Sequence, residues 1–286
     1  MPPCTLWYRG AFYFMKKIRK AVIPSAGYGT RFLPITKLVP KELLPIGNKP
    51  AIQYVVEEAV AAGIQEIILV CHPSKLSIVD YFRPDPELNA FLEGKGKRDE
   101  LAALKRIESL AKFTIIYQEE PLGLGHAVLC AEDAVGEESF LVMLPDVLVV
   151  PERAGALHLM DACEREATWG LLLERVPQEK VASYGIVKGE KLSEGNYLIE
   201  GAVEKPKYEE APSDLAVLGR YLFPPEIFEL IRRSKKGALG EIQLTDAIHA
   251  LAQQKRGKGA LCEGKIFDVG NPAGLQEIYH HLRSLR

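Results

Sequence analysis

The 286-residue sequence has no excess of either charge and no long apolar run. Its 36 basic and 38 acidic side chains give a formal net charge of −2. A balance this close to zero argues against a general nucleic-acid or membrane-surface binder, because both classes usually carry a basic excess. No uninterrupted apolar stretch is long enough to cross a bilayer. We therefore expect no nucleic-acid partner and no membrane, although a small basic pocket for one phosphate compound remains possible.

Cysteine is also scarce, and its pattern excludes two further classes. The five cysteines are scattered, odd in number and include no Cys-x-x-Cys pair. We interpret them as reduced and mostly buried thiols, which predicts a cytoplasmic protein. No cluster of histidine and cysteine indicates zinc. The apolar fraction of 47% predicts a globular chain with a substantial core.

The first 14 residues lack the patterning of the rest. The segment MPPCTLWYRGAFYF is aromatic and irregular, and Met15 then opens MKKIRKAVIP. A signal peptide would place its basic region before the apolar one, and here the order is reversed. We expect residues 1–14 to be an irregular extension and residues 15–286 to form a single domain, since no flexible linker interrupts them.

Short apolar runs alternate with helical patterns in the first half of the chain. The predicted strands are Ala21–Pro24, Ile67–Cys71, Phe113–Tyr117 and Phe140–Leu144, and the predicted helices are 51–62 and Gly125–Asp133. Continuous apolar strands are typical of a parallel sheet covered on both faces. The alternation predicts an α/β fold with three αβα layers and a mostly parallel, Rossmann-like central sheet.

The second half is richer in β-like runs. The predicted strands are Ala167–Val176, Tyr184–Lys188, Tyr197–Val203 and Leu215–Phe223, and the predicted helices are Pro225–Arg233, Glu241–Gln254 and Pro272–Leu285. Between the two patterns, residues 85–110 form a charged helical insertion. It is either a solvated surface helix pair or an interface or lid element.

A glycine-rich loop follows the first predicted strand. The run Ala26-Gly27-Tyr28-Gly29-Thr30-Arg31 allows the backbone to turn tightly and to approach a ligand. Exposed backbone N–H groups in such a loop can surround phosphate, and Arg31 and Lys41 supply cations. The dinucleotide fingerprint would need glycine at position 32, which is phenylalanine, and the Walker phosphate loop is absent. An NAD(P)-dependent enzyme is therefore disfavoured.

The segment AGYGTRFLPITKLVPKELLP resembles the signature of the sugar-1-phosphate nucleotidylyltransferases. The resemblance extends from about Lys17 to the C-terminus and includes GLGHAVLCA, LPDV, VEKPK, GEIQLTDAI and FDVGNPAG. It is closest to the bacterial members that act on UTP and glucose 1-phosphate, because the shorter thymidylyl relatives lack the insertion at 85–110. One departure is Tyr28, where a smaller or aliphatic residue is expected.

This resemblance implies a glycosyltransferase-A-like fold. Its nucleotide-binding half would span about residues 15–150, and a β-rich sugar-binding half would span about 151–286. The implied reaction is attack by a sugar-phosphate oxygen on the α-phosphorus of UTP, with pyrophosphate leaving. Positioning and electrostatic stabilisation would supply most of the catalysis.

The resemblance also implies roles for individual residues. Lys41 would contact the phosphates at the reacting centre, and Arg31 would bind the departing pyrophosphate. Asp146 ends a strand at the sheet edge where α/β proteins place ligands, and with Asp268 it would hold Mg²⁺. Lys205, within VEKPK, would neutralise the sugar phosphate.

The remaining expected contacts divide between nucleotide and sugar. The nucleotide would be bound by Ala26, Gly27, Gly29, Thr30, Gln118 and Gly123. The sugar phosphate would be bound by Tyr184, Gly185, Glu204, Lys205 and Gly219. The amide of Gln118 would donate and accept at once along the imide edge of uracil, whereas His126 is expected to be structural.

Two alternatives stay open. The same reaction could use dTTP, CTP or another sugar 1-phosphate, since the phosphate-handling motifs do not distinguish these substrates. A nucleotide-sugar-binding regulator without activity would lack some of Arg31, Lys41, Asp146 and Lys205, and all four are present. A homodimer or homotetramer is expected, because the resemblance implies a family whose members commonly form oligomers.

Overall fold

The computed structural model describes residues 18–163, 169–237 and 240–284. The expected extension at residues 1–14 lies outside these ranges, as do the first two residues of the strand predicted to begin at Ala167 and the last residue of the helix predicted to end at Leu285. No helix in the described part of the chain is both long and apolar enough to cross a membrane.

The strands and helices follow the predicted alternation. In chain order the strands are β1 (Lys20–Ser25), β2 (Pro45–Ile46), β3 (Lys49–Pro50), β4 (Glu66–Cys71), β5 (Lys112–Tyr117), β6 (Phe140–Met143), β7 (Val147–Val150), β8 (Trp169–Arg175), β9 (Gly185–Ser193), β10 (Asn196–Glu204), β11 (Leu215–Phe223), β12 (Gly257–Leu261) and β13 (Lys265–Asp268). The α-helices are α1 (Ala51–Ala61), α2 (Leu76–Asp80), α3 (Pro86–Gly94), α4 (Arg98–Glu108), α5 (Gly123–Cys130), α6 (Glu132–Val135), α7 (Ala156–Cys163), α8 (Ile227–Arg233), α9 (Leu244–Ala252) and α10 (Pro272–Ser284).

Nine strands form one central sheet that includes both halves of the chain. Their order is β5-β4-β1-β6-β11-β8-β12-β10-β9. The first four are parallel, as is the β8–β12 pair, and the other neighbours are antiparallel. The parallel part is the predicted Rossmann-like unit, and the antiparallel part is the predicted β-rich region. The sheet is therefore mostly parallel only in its first half, because four of its eight neighbouring pairs are antiparallel. The α/β class is confirmed.

Helices cover both faces of this sheet because the apolar runs of its central strands present apolar side chains to both sides. In β4, Ile67 and Leu69 point into one buried cluster, whereas Ile68 and Val70 point into the other. Side chains of α1 and α7 fill the first cluster, and side chains of α5, α8 and α9 fill the second. Successive residues of a strand face opposite ways, so a continuous apolar run requires two covering layers. These are the three layers expected from the sequence.

Several elements escaped sequence analysis. The antiparallel pair β7–β13 lies outside the main sheet and aligns Val147 with Asp268. Strand β12 and helix α7 were also not predicted. The insertion at residues 85–110 forms the helix pair α3 and α4, and α4 has no buried residue, as expected of a solvated helix.

Candidate active site

The glycine-rich loop leaves the sheet at the end of β1, and a buried lysine donates hydrogen bonds to its backbone. Lys75 is 7% exposed, and its Nζ donates to the carbonyls of Ser25 at 3.0 Å and Gly27 at 2.5 Å. The same ammonium contacts both carboxylate oxygens of Glu42, which is fully buried, at 3.0 and 3.1 Å. The loop and the turn that carries Lys41 are therefore joined through one cation.

Two glycines of this loop are explained in different ways. Gly29 has a φ of 65°, and a Cβ added there would lie 3.2–3.3 Å from the side chains of Thr36 and Lys41. Its conformation and packing therefore favour glycine. Gly27 has neither constraint, because it is exposed and a Cβ would meet nothing within 4 Å. Open space above Gly27 is the condition under which a ligand can approach the backbone.

Lys41 and Asp146 form an ion pair where the loop meets the sheet edge. Their Nζ and Oδ2 atoms are 2.5 Å apart, and their side chains are 20% and 19% exposed. Burial by itself would lower the pKa of Lys41, but Asp146, Glu42 and Asp268 outweigh it and raise that pKa above its ordinary value. Lys41 therefore stays a cation in a partly enclosed and acidic setting.

Asp268 is the second carboxylate of this centre. Burial raises its pKa, and the neighbouring charge of Asp146 raises it further. A Cβ on Gly270 would lie 2.4 Å from Oδ2 of Asp146 and 3.0 Å from Oδ1 of Asp268. The two carboxylates thus converge on a cradle that any side chain at position 270 would fill.

That cradle fits a hard divalent cation. Carboxylate oxygens are ligands that Mg²⁺ prefers, and Mg²⁺ commonly combines one or two of them with water and substrate phosphate. Within residues 18–163, 169–237 and 240–284, no group of three or more histidine, cysteine, aspartate or glutamate side chains could hold a metal ion. An ion here would consequently take its remaining ligands from water and phosphate.

A fully buried arginine holds the segment that carries Asp146. Arg220 is paired with Glu58 on α1, with Nε–Oε1 and Nη2–Oε2 distances of 2.8 and 2.6 Å. The guanidinium also donates to the carbonyls of Leu144 at 3.3 Å and Val147 at 2.8 Å, which flank Asp146 in the chain.

Gly219 precedes that arginine, and its backbone conformation and packing give it a structural reason to be glycine. Its φ is 76°, and a Cβ there would lie 2.8 Å from the side chain of Val147. The pairing of β11 with β8 shifts register between Val217 and Tyr221, as at a β-bulge. Packing and backbone conformation therefore account for this glycine.

The residues expected to recognise the base lie at the end of β5 and the start of α5. Gln118 is 4% exposed, and its Nε2 is 3.2 Å from the carbonyl oxygen of Gly123 and 2.9 Å from Nδ1 of His126. The expectation that this amide would donate and accept at once toward a base differs from this arrangement, because its N–H groups are bonded within the protein. Gly123 has a φ of 92° and is packed against Ile242, so its identity also has a structural cause.

The expected sugar contacts converge where β9 begins and β10 ends. Gly185 stands opposite Glu204 in the antiparallel pairing, and the backbone N–H of Lys205 donates to the carbonyl of Tyr184 at 3.0 Å. Glu204 is held from α9, since the hydroxyl of Thr245 donates to its Oε2 at 2.5 Å. Sequence analysis did not single out Thr245.

One cavity lies in the second half of the chain and is bordered by Arg31 from the first half. It has a volume of about 460 Å³ and is lined mostly by residues 174–184 and 265–277. Of the predicted site residues, Arg31, Tyr184 and Asp268 line it. Burial raises the pKa of Tyr184, with Asp268 as a further cause. Lys41, Asp146, Glu204 and Lys205 lie outside its lining, as do Gln118 and Gly219.

A glycine-rich phosphate loop beside a lysine–carboxylate pair, at the edge of a parallel sheet, defines a nucleotide-binding site suited to phosphoryl chemistry. Comparison with known families agrees. Residues 20–284 match the family described as nucleotidyl transferase. The chain belongs to this family, whose members generally use a divalent metal ion.

The chain is similar to several members of this family. It is 48% identical over 260 residues to the UTP–glucose-1-phosphate uridylyltransferase of Bacillus subtilis (strain 168), covering 91% of this chain and 89% of the relative. The structure of a UTP-bound UGPase from Acinetobacter baumannii matches with a TM-score of 0.86 and 41% identity, covering 94% of each chain. A UDP-glucose pyrophosphorylase complexed with UDP-glucose matches with a TM-score of 0.86 and 39% identity, covering 94% of this chain and all of the other.

Proposed function

We propose that this protein is an enzyme that transfers the uridylyl group of UTP to α-D-glucose 1-phosphate, giving UDP-glucose and pyrophosphate. The observation that carries the proposal is the Lys41–Asp146 pair, which lies beside both the phosphate loop and the second carboxylate. The similar proteins named for this reaction support the choice of UTP and glucose. The reaction forms a bond from a sugar-phosphate oxygen to the α-phosphorus and breaks the bond from that phosphorus to the pyrophosphate oxygen.

Electrostatics is the main contribution of the protein. Two anions must approach each other, so cations placed beforehand lower the barrier. Lys41 would contact the phosphates at the reacting centre, with a raised pKa that keeps it charged. Arg31, exposed and lining the cavity, would bind the departing pyrophosphate. The backbone of Ala26, Gly27, Gly29 and Thr30 would bind the nucleotide.

Asp146 and Asp268 would hold Mg²⁺ in the cradle beside Gly270. When bound, the ion supplies charge neutralisation for phosphate oxygens. Lys41 contacts Oδ2 of Asp146 in this structure, so the lysine and an ion would both neutralise this carboxylate.

The sugar phosphate would be bound from the second half of the chain. Tyr184 and Gly185 would present backbone atoms to the hexose, and Glu204 would accept hydrogen bonds from its hydroxyls. Lys205, which is 56% exposed, would neutralise the phosphate. Gly219 would contribute indirectly, by allowing β11 to pack against Val147.

Pyrophosphate release tests the reaction. The protein is incubated with Mg²⁺, glucose 1-phosphate and, separately, UTP, dTTP, CTP, ATP or GTP. We expect release to be fastest with UTP, and Asp146→Ala serves as the inactive control for contaminating activity. Faster turnover with dTTP or CTP would contradict the uridylyl assignment, and no release with any nucleotide would contradict the enzyme assignment.

A cytoplasmic location and a homodimer or homotetramer complete the proposal. The scattered cysteines support the first, because Cys71 and Cys163 are buried free thiols. Light scattering coupled to gel filtration measures the second, and a monomer at micromolar concentration would contradict it.

A further inference from the structure

The hydrogen bonds around Gln118 fix which way its amide faces. The carbonyl oxygen of Gly123 can only accept a hydrogen bond, so the amide atom 3.2 Å from it must be the nitrogen. The same nitrogen is 2.9 Å from Nδ1 of His126. An amide nitrogen has two hydrogens, and these two acceptors use both.

His126 can accept this bond in one neutral form. A ring nitrogen accepts when it carries a lone pair, so the ring proton must lie on Nε2. His126 is placed one helical turn after Gly123 on α5, which brings the carbonyl and the ring to the same amide. The sequence favoured a structural role for this histidine. In the structure, that role is to accept a hydrogen bond from the Gln118 amide.

The oxygen of the amide is left for a ligand. Within the described part of the chain, Oε1 of Gln118 has no hydrogen-bond partner. This oxygen is also not fully enclosed, because the fully enclosed side-chain atoms without a partner among the described residues are Ser25 Oγ and Asn89 Oδ1. Gln118 therefore offers a base an acceptor and no donor. The N3–H of uracil or thymine complements an acceptor, whereas N3 of cytosine carries a lone pair that opposes it.

We propose that His126 is a positioning residue that makes the site select uracil and thymine over cytosine by holding the Gln118 amide with its oxygen toward the base. The inference rests on the proposed nucleotide site. It concerns base recognition and not the transfer step, so binding in the absence of glucose 1-phosphate can test it. Because thymine has the same N3–H, the arrangement does not distinguish UTP from dTTP.

The test uses two substitutions of nearly equal size. In His126→Asn the side-chain oxygen can take the place of Nδ1 as an acceptor, whereas His126→Leu removes the acceptor. Calorimetry measures the dissociation constants of UTP, dTTP and CTP with each protein, and circular dichroism checks that each is folded. Gln118→Ala gives the reference ratio for a site without the amide.

We expect the preference for UTP over CTP to fall about tenfold in His126→Leu, the equivalent of one buried hydrogen bond. His126→Asn should keep the wild-type preference within about twofold, and the ratio of UTP to dTTP should not change in either variant. A wild-type preference in the leucine variant would overturn the inference, and so would an equal loss in the asparagine variant. UTP binding without turnover would contradict the proposed reaction, but the binding preferences would still test the role of His126.

A second measurement needs no substitution at position 126. A UTP analogue methylated at N3 cannot donate to the amide oxygen. It should bind the wild-type protein no better than it binds Gln118→Ala. Binding as tight as that of UTP itself would show that the amide does not accept from N3, and would overturn the inference even if the leucine variant failed to fold.

Discussion

The buried pair between Glu58 and Arg220 allows the sharpest prediction from this structure. The change is Glu58→Gln, which keeps the shape of the side chain and removes its charge. The guanidinium would then be uncompensated in a fully buried position, since the Arg220 and Glu58 side chains are 0% and 4% exposed. Breaking one side of a buried pair typically destabilises a protein by about 3–5 kcal/mol.

The hydrogen bonds that remain around Arg220 determine how much free energy of unfolding is lost in Glu58→Gln. Arg220 keeps its contacts to the carbonyls of Leu144 and Val147, and the single oxygen of the new amide can still accept from Nε and from the backbone N–H of Ala156. The lower part of the range, about 3 kcal/mol, is therefore expected. In Glu58→Gln with Arg220→Met, neither charge remains, so the double variant should lose at least about 2 kcal/mol less than the sum of the two single losses.

Chemical denaturation measures these values, with fluorescence and far-UV circular dichroism recorded together to check that unfolding is a single transition. Glu132→Gln is the matched control, because it removes the same carboxylate from a surface arginine pair. There the Arg232 and Glu132 side chains are 49% and 39% exposed, and solvent screens the charges. Equal losses in control and test variants, or strict additivity in the double variant, would refute the argument from burial.

Two further changes test how the site is held. Lys75→Met should raise the KM for UTP about tenfold or more, because the carbonyls of Ser25 and Gly27 lose their hydrogen bonds to Lys75 and the phosphate loop is released. An unchanged KM in steady-state assays would contradict this. Gly270→Ala should weaken Mn²⁺ binding measured by electron paramagnetic resonance, since the new Cβ would lie 2.4 Å from Oδ2 of Asp146. Gly94→Ala, where a Cβ meets nothing within 4 Å, is the control, and equal affinity in both variants would remove the carboxylates from the metal site.

Strands of the central sheet could be predicted because each is a local apolar run. The predicted limits of β11 coincide with those observed, and β4 and β5 begin one residue earlier than predicted. The pair β7–β13 could not be predicted in this way. Its members are four residues each and lie more than a hundred positions apart, so no local period reveals the pairing.

The same distinction applies to the site. Lys41, Asp146 and Asp268 follow from motifs that resemble a family, but their convergence depends on the long-range ladder that aligns Val147 with Asp268. Arg220 did leave a signal in the sequence, because it is the charged residue within the apolar run LAVLGRYLF. A charge at such a position must be paired. Its partner, 162 residues away, could be identified from the structure alone.

Backbone strain supports a ligand-binding role at the sugar side. Among the described residues, Lys205 is the one non-glycine residue with a positive φ, 42°. Left-handed backbone is unfavourable for a lysine, and such strain persists where the surrounding structure enforces it. Here the bond from the Lys205 N–H to the Tyr184 carbonyl and the pairing of Glu204 with Gly185 fix the chain on both sides. A glycine would relieve the strain but would remove the cation that we propose neutralises the sugar phosphate.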